Sequence, residues 1–356
     1  PMATVFLNGR FVSRDEAVVS AFDAGLQHGV GLFETLKAVR AAAPGDGDDA
    51  PDRNDAPDGD AAPPGPAVIH LRPHLERLAA SARALGLSEQ LRIPALAEAV
   101  ELTVAKAFAE LGDGVRALRV RLTITGGDLN MLGRPQPAAE ALEHSPTLLI
   151  VAQPATLYPD EMFSRGTRVV LADLRVNPLD PFQGHKTLNY WPRLRELQSA
   201  AAKRAGEALV FQVTNHLAGG CVSNVLLVRD GRLQTPIARG EEEAVASGEL
   251  DPDADGGAGR AGGPAPHTRD GAVLPSPVLP GVVRRWVMEW AAARAVPVER
   301  RMLTIQDVLA ADEVLLTNSS WGVLPVVAVE AEPIGDGAVG ETGRALVEAW
   351  RAQAEA

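Results

Sequence analysis

The sequence predicts an α+β or α/β protein of two domains, and three observations lead there. At 356 residues the chain is too long for one ordinary core and suits two. Along most of it, short β-branched runs alternate with amphipathic helical stretches, as in mixed folds. Two acidic stretches, residues 41–66 and 240–272, break that alternation; they are rich in Ala, Pro, Gly and Asp and contain no aromatic residue. Such segments bury too little apolar surface to offset ordering entropy, so both are expected to be disordered inserts.

The elements follow in order. Val5–Leu7, Asn8-Gly9 and Arg10–Val12 form a hairpin with a primed turn. The first insert separates strands over Thr35–Arg40 and Ala67–Leu71, where a short loop would suffice. Pro73–Leu85 is an amphipathic helix with Leu75, Leu78, Ala79 and Ala82 on one face, and Pro94–Leu111 is a second helix. Strands over Leu118–Thr125 and Pro146–Ala152 complete a domain of residues 1–152, with 153–160 as linker and 161–356 as the second domain. That second part begins with a strand at Thr167–Leu174 and a helix over Pro192–Arg204. Strands at Ala208–Val213 and Ser223–Arg229 precede a helix over Gly281–Arg294. Thr304 with Asp307 sets up a capping arrangement, and Val314–Thr317 and Val326–Val329 are the last strands.

Composition narrows the function. Each insert carries a net charge of -6, which accounts for the whole -12, so the acidity belongs to the inserts and implies no charged macromolecular ligand such as nucleic acid. No run of about 18 or more apolar residues predicts a membrane span. The chain opens on Thr4-Val5-Phe6-Leu7 without a basic, then apolar, leader, and a cytoplasmic location is expected. Cys221 is the sole cysteine and the histidines lack ligand spacing, so neither a disulfide framework nor a metal site is expected.

Only four lysines occur, and Lys186 lies in Gly184-His185-Lys186-Thr187-Leu188-Asn189-Tyr190, read as a strand segment leading into a long helix. A lysine so flanked can have its amine held neutral and aimed at a carbonyl. Other blocks join it. Pro280-Gly281-Val282-Val283 precedes an apolar helix, so the Val282 and Val283 amides would point outward at the positive end of a helix dipole, as a phosphate cradle does. Arg77 sits in His74-Leu75-Glu76-Arg77-Leu78, where a guanidinium could take a phosphate by paired hydrogen bonds or simply face solvent. Phe33, Thr35 and Lys37 alternate along one strand and share a side.

Together with Asp23–Thr35, Cys221-Val222-Ser223-Asn224, Leu279–Arg284 and Ala311–Ser320, these blocks closely resemble the class IV, or fold-type IV, pyridoxal-phosphate enzymes. That family includes branched-chain and D-amino-acid aminotransferases and aminodeoxychorismate lyase. The resemblance implies pyridoxal 5'-phosphate as cofactor, with Lys186 forming a Schiff base and shuttling a proton. It implies phosphate contacts from Arg77, Val282, Val283 and Ser319, with Tyr190, the 219 position, Ser223 and Asn224 around the ring. Phe33, Thr35, Lys37 and Trp321 would line the pocket for amino acid and 2-oxo acid substrates, in a homodimer.

The sequence also departs from that family. Its glutamate for the pyridine nitrogen aligns with Gly219; Glu207, at the start of the preceding strand, is not assigned that task. The arginines expected after the Leu122–Thr125 strand give way to Thr125-Gly126-Gly127-Asp128, leaving Arg119, Arg121 and Arg134 as replacements. Three functions stay open: an aminotransferase, a lyase releasing pyruvate, and a cofactor-binding protein with weak or no catalysis.

Overall fold

The computed structural model describes residues 3–40, 66–128, 146–249, 268–269 and 272–355. The first insert up to residue 65, the second over 250–267 and 270–271, and Arg134 lie outside the described residues.

Asn8 and Gly9, both at positive φ, turn β1 (Thr4–Leu7) back onto β2 (Arg10–Val12), as the Asn-Gly pair predicts. After α1 (Ala24–His28) come β3 (Gly31–Val39), β4 (Ala67–Val68), α2 (Leu71–Ala84), α3 (Ile93–Leu111), β5 (Ala117–Thr125) and β6 (Leu148–Pro154). The strands pair in the order β2-β1-β6-β5-β3-β4. Leu32, Leu36, Leu118, Val120, Leu122 and Ile150 turn one face of this sheet towards Leu75 and Leu78 of α2 and Val100 and Val104 of α3. The opposite parity puts Phe33, Thr35 and Lys37 on the other face, in register with Thr123, Arg121 and Arg119.

The chain continues through α4 (Asp160–Ser164), β7 (Thr167–Val176), α5 (Trp191–Ala202), β8 (Glu207–Gln212), β9 (Leu217–Gly220), β10 (Asn224–Arg229), β11 (Arg232–Pro236), α6 (Glu242–Ser247), β12 (Thr268–Arg269) and β13 (Ala272–Val273). Then follow α7 (Val282–Ala292), β14 (Val298–Arg301), α8 (Ile305–Leu309), β15 (Glu313–Asn318), β16 (Gly322–Val329), β17 (Glu332–Pro333) and α9 (Glu341–Glu355). The second sheet is mixed, in the order β14-β11-β10-β15-β16-β7-β8-β9, with β17 on β16. Apolar clusters lie against it: one includes Leu209, Val225 and Leu316, another Leu226, Leu315 and Val287 of α7. The capping box at Thr304 forms as the sequence predicts, with Asp307 accepting from the Thr304 amide and the Thr304 hydroxyl from the Asp307 amide.

Three expectations need correction. The strand expected over Ala67–Leu71 ends at Val68, because His70 takes a left-handed conformation (φ 52°) and Leu71 already begins α2. The stretch expected to be disordered from residue 240 is ordered as far as 249. Its acids face cations and amides: Glu241 accepts two bonds from buried Arg284, and Glu242, at the start of α6, accepts from the Gly240 amide. Finally, Lys186 does not lie on a strand. Its segment is an irregular connection into α5, attached to β3 by an isolated bridge between Leu32 and Thr187.

Candidate active site

The Lys186 segment is held from across the molecule. The Phe33 amide donates to the Lys186 carbonyl, and the Leu188 amide to the Gly31 carbonyl, both at 3.0 Å. This pins the backbone of residue 186 against the first sheet and sends its amine inward. Nζ stands 4.4 Å from the centre of the Phe33 ring and 5.5 Å from that of Tyr190, and those two rings meet edge to face. Burial, reinforced by the positive charges of Arg77, Arg121 and Arg193, outweighs Glu34 and pulls the amine down to about 7 from its ordinary 10.5. Near neutral pH a large fraction of Lys186 is therefore the free base that attacks carbonyls.

Beside the amine lies a buried ionic network. Glu34 sits on the core-facing side of β3, where its carboxylate takes Arg77 Nε at 2.9 Å and Nη2 at 2.6 Å, and His74 Nδ1 at 2.8 Å. Burial alone would raise the Glu34 carboxyl; Arg77 and His74 overcome that and hold it at about 2. Arg77 Nη1 reaches across to the carbonyl of Pro280 at 3.0 Å, just before α7. Two guanidinium N–H groups remain for an anion. Burial keeps His74 below its ordinary value and hence neutral, so with Nδ1–H donating to Glu34 its Nε2 is an acceptor. The Ser319 hydroxyl, 3.2 Å away, donates to that nitrogen and must swing off it to serve an anion.

The opening turn of α7 adds further donors beside Arg77. The amides of Val282 and Val283 are first-turn groups with no intrahelical acceptor. Gly281 is required for close approach: a Cβ there would collide with Asn224 Oδ1, whose amide is anchored by Nδ2 to the Leu279 carbonyl at 2.8 Å. Thr317 pairs with Asn224 across β10 and β15 and so points to the same face, where its hydroxyl is buried without a hydrogen-bond partner. Arg284, 2% exposed, fixes the helix through Thr235 and Glu241.

Behind Tyr190 the wall is the β9–β10 turn. Tyr190 donates to the Cys221 carbonyl at 2.9 Å. Gly219 adopts φ +140°, a conformation that side-chain-bearing residues rarely take. Ser223 spends its hydroxyl on Glu207, whose carboxylate also accepts from the amides of Ala208, Cys221 and Val222. Glu207 is thus a buried anchor for this turn.

The structure therefore brings Arg77, Ser319, Val282, Val283 and Asn224 together at one end and Lys186, Phe33 and Tyr190 at the other. Thr35 and Lys37 run outward along β3, facing Arg121 and Arg119. Arg121 caps the Phe33 ring at 3.9 Å, on a ring that Lys186 also contacts. Trp321 packs edge to face on Tyr158, with its Nε1 buried and unpartnered. Sequence reasoning missed Glu34, His74, Thr317, Tyr158 and the role of Glu207. A signal existed for Glu34, a carboxylate at the core parity between Leu32 and Leu36, and for Glu207, which opens a fully buried strand. Among the described residues no cluster of His, Cys, Asp or Glu could hold a metal ion, and no helix is long and apolar enough to cross a membrane.

The family model described as amino-transferase class IV matches residues 65–241 and 269–329. A putative branched-chain-amino-acid aminotransferase of Methanocaldococcus jannaschii is 24% identical, covering 98% of this chain and 95% of that protein. A D-alanine aminotransferase of Staphylococcus epidermidis is 23% identical over 97% and 95%. Among solved structures, a T.th. branched-chain amino acid aminotransferase with pyridoxamine 5'-phosphate superposes with a TM-score of 0.72 at 21% identity, covering 99% and 94%. The 4-amino-4-deoxychorismate lyase from Pseudomonas aeruginosa superposes at 0.68 with 26% identity, covering 98% of each chain.

Proposed function

The chain belongs to the class IV aminotransferase family, whose cofactor is pyridoxal phosphate, and from that premise we propose that it moves an amino group between an amino acid and a 2-oxo acid. The observation that carries the proposal is the amine of half-buried Lys186, packed on the Phe33 and Tyr190 rings and pulled down to about 7, at one end of a site whose other end offers donors to an anion.

The residues fit the cofactor. A phosphate needs donors, and Arg77, the Val282 and Val283 amides, the unpartnered Thr317 hydroxyl and a reoriented Ser319 supply them around the notch at Gly281. Bound there, pyridoxal phosphate supplies an aldehyde that links to amines and a ring that draws electrons from the amine-bearing carbon. Lys186 would hold the cofactor through Nζ, and the same amine, when free, is the group that would carry a proton to and from the substrate carbon. Tyr190, fixed by the Cys221 carbonyl, and Asn224, fixed by Leu279, would wall the ring, with Gly219 and Ser223 in the turn behind. Phe33 orients Lys186 and excludes water from its amine.

Arg121 takes the substrate carboxylate, since it shares the Phe33 ring with Lys186. Thr35, Lys37, Arg119 and Trp321 line the outer pocket. This site is expected to convert the bound cofactor to its aminated form, seen as loss of the visible band, with at least one member of a panel of L- and D-amino acids. Loss of the band with none of them would defeat a transaminase assignment. Pyruvate released from an aminated chorismate without any oxo acid would instead favour the lyase reading, which the likeness to the Pseudomonas aeruginosa lyase supports.

The active form is a homodimer. Phe22 and Leu26 are each 69% exposed and Trp191 is 79% exposed, an apolar load that a second copy would cover. Light scattering should give twice the 37.4 kDa chain mass; a monomer at working concentration would refute the dimer.

A further inference from the structure

The wall behind Tyr190 carries a charge that the proposed function does not use. Arg193, in the first turn of α5 and half-buried, sends Nη1 to the Gly220 carbonyl at 3.0 Å. Its charge acts on Lys186, Tyr190 and Cys221 alike, so it stands at the site and not outside it. Among the described residues that carbonyl is its hydrogen-bond partner, and no carboxylate pairs with it.

The acids that could serve a bound ring are already committed. Glu34 is taken up by Arg77 and His74. Glu207 is saturated: one oxygen accepts from the Ala208 and Cys221 amides, the other from the Val222 amide and the Ser223 hydroxyl. Position 219 has no side chain to offer, and its φ of +140° opposes acquiring one.

In pyridoxal phosphate the ring nitrogen lies across the ring from the aldehyde carbon. With the aldehyde at Lys186 and the phosphate at α7, the wall left for the nitrogen is the 219–221 turn, where Arg193 sits. We infer that Arg193 faces the ring nitrogen of the cofactor and keeps it unprotonated. A guanidinium has only N–H groups to present, so it donates to the nitrogen's lone pair and repels a proton there. The ring then draws electrons more weakly, and proton transfer depends more heavily on Lys186 Nζ.

This inference rests on the proposed cofactor site, and one experiment separates the two. The holoprotein is reconstituted with pyridoxal phosphate labelled with nitrogen-15 in the ring, and the resonance is recorded for the native chain, Arg193→Gln and Arg193→Glu. The native chain should show an unprotonated pyridine, Arg193→Gln a shift towards pyridinium, and Arg193→Glu a larger one. A pyridinium resonance in the native chain overturns the inference while leaving the cofactor site intact, and so does one resonance position shared by all three proteins. Failure of the native chain to bind the labelled cofactor at Lys186 overturns the site itself. Should one variant misfold, as thermal melting would reveal, the native chain and the other variant decide.

Discussion

Lys186→Met is expected to abolish covalent capture of the cofactor, lower any transamination rate by at least about a thousandfold, and make the cofactor-free protein more stable. The first two effects follow from losing the amine proposed to link the cofactor and to carry the proton. The third follows from burial, since the folded state holds the amine at about 7 against an ordinary 10.5. The unfolded chain therefore binds a proton that the folded chain lacks between those values. The cost of burying Lys186 is fully present below about pH 7 and fades as pH rises towards 10.5. Methionine matches the stem in shape and carries no charge, so the variant should gain a few kcal/mol at pH 7, on the order the shift implies, and little at pH 10. Urea unfolding of both cofactor-free proteins at the two pH values checks this, and a variant less stable than the parent at pH 7 contradicts it. In the parent, capture of added cofactor should accelerate as pH rises through about 7.

Arg77→Met is expected to be the most damaging single change to the cradle. It removes the cation that pairs with Glu34 inside the core and leaves a desolvated carboxylate, which costs roughly 3–5 kcal/mol. It also removes the guanidinium proposed to take the cofactor phosphate, so cofactor affinity should fall at least about tenfold. Adding Glu34→Gln to Arg77→Met should recover part of the stability, because no unpaired charge then remains, but none of the affinity. Thermal melts and equilibrium binding of pyridoxal phosphate separate the two effects; equal recovery of both would mean that Arg77 acts only as a counter-ion. The pair has its own acid limit. Glu34 is held at about 2, below its ordinary 4.5, so its contribution is intact above about pH 4.5 and is lost as pH falls through about 2.

What the sequence disclosed depended on how local each feature is. The Asn8-Gly9 turn, the Thr304 capping box and the alternation along Leu118–Thr125 rest on neighbours a few residues apart, and all formed as expected. The blocks around Lys186 and Pro280 carried enough chemistry to indicate the family and its cofactor. Glu34 and Arg77 lie 43 residues apart, and the Glu207 carboxylate meets amides 14 and 15 residues on, so no local pattern announces either. Residues 240–249 misled for a related reason. Their acidic composition is that of a solvated loop, but Arg284, far along the chain, supplies the counter-charge that orders Glu241. The irregular path of Lys186 is likewise imposed from outside, by main-chain bonds to Gly31 and Phe33.

Those bonds have a consequence for how the protein is made. The peptide bearing the Lys186 amine is shaped by docking on β3, a strand synthesised far earlier in the chain. The loop between them must close before the lysine is presented at all, so the site is a late and long-range product of folding. A chain with either sheet still open offers a flexible lysine with an ordinary, protonated amine. Burial thus couples the free-base form of this one amine to completion of the fold.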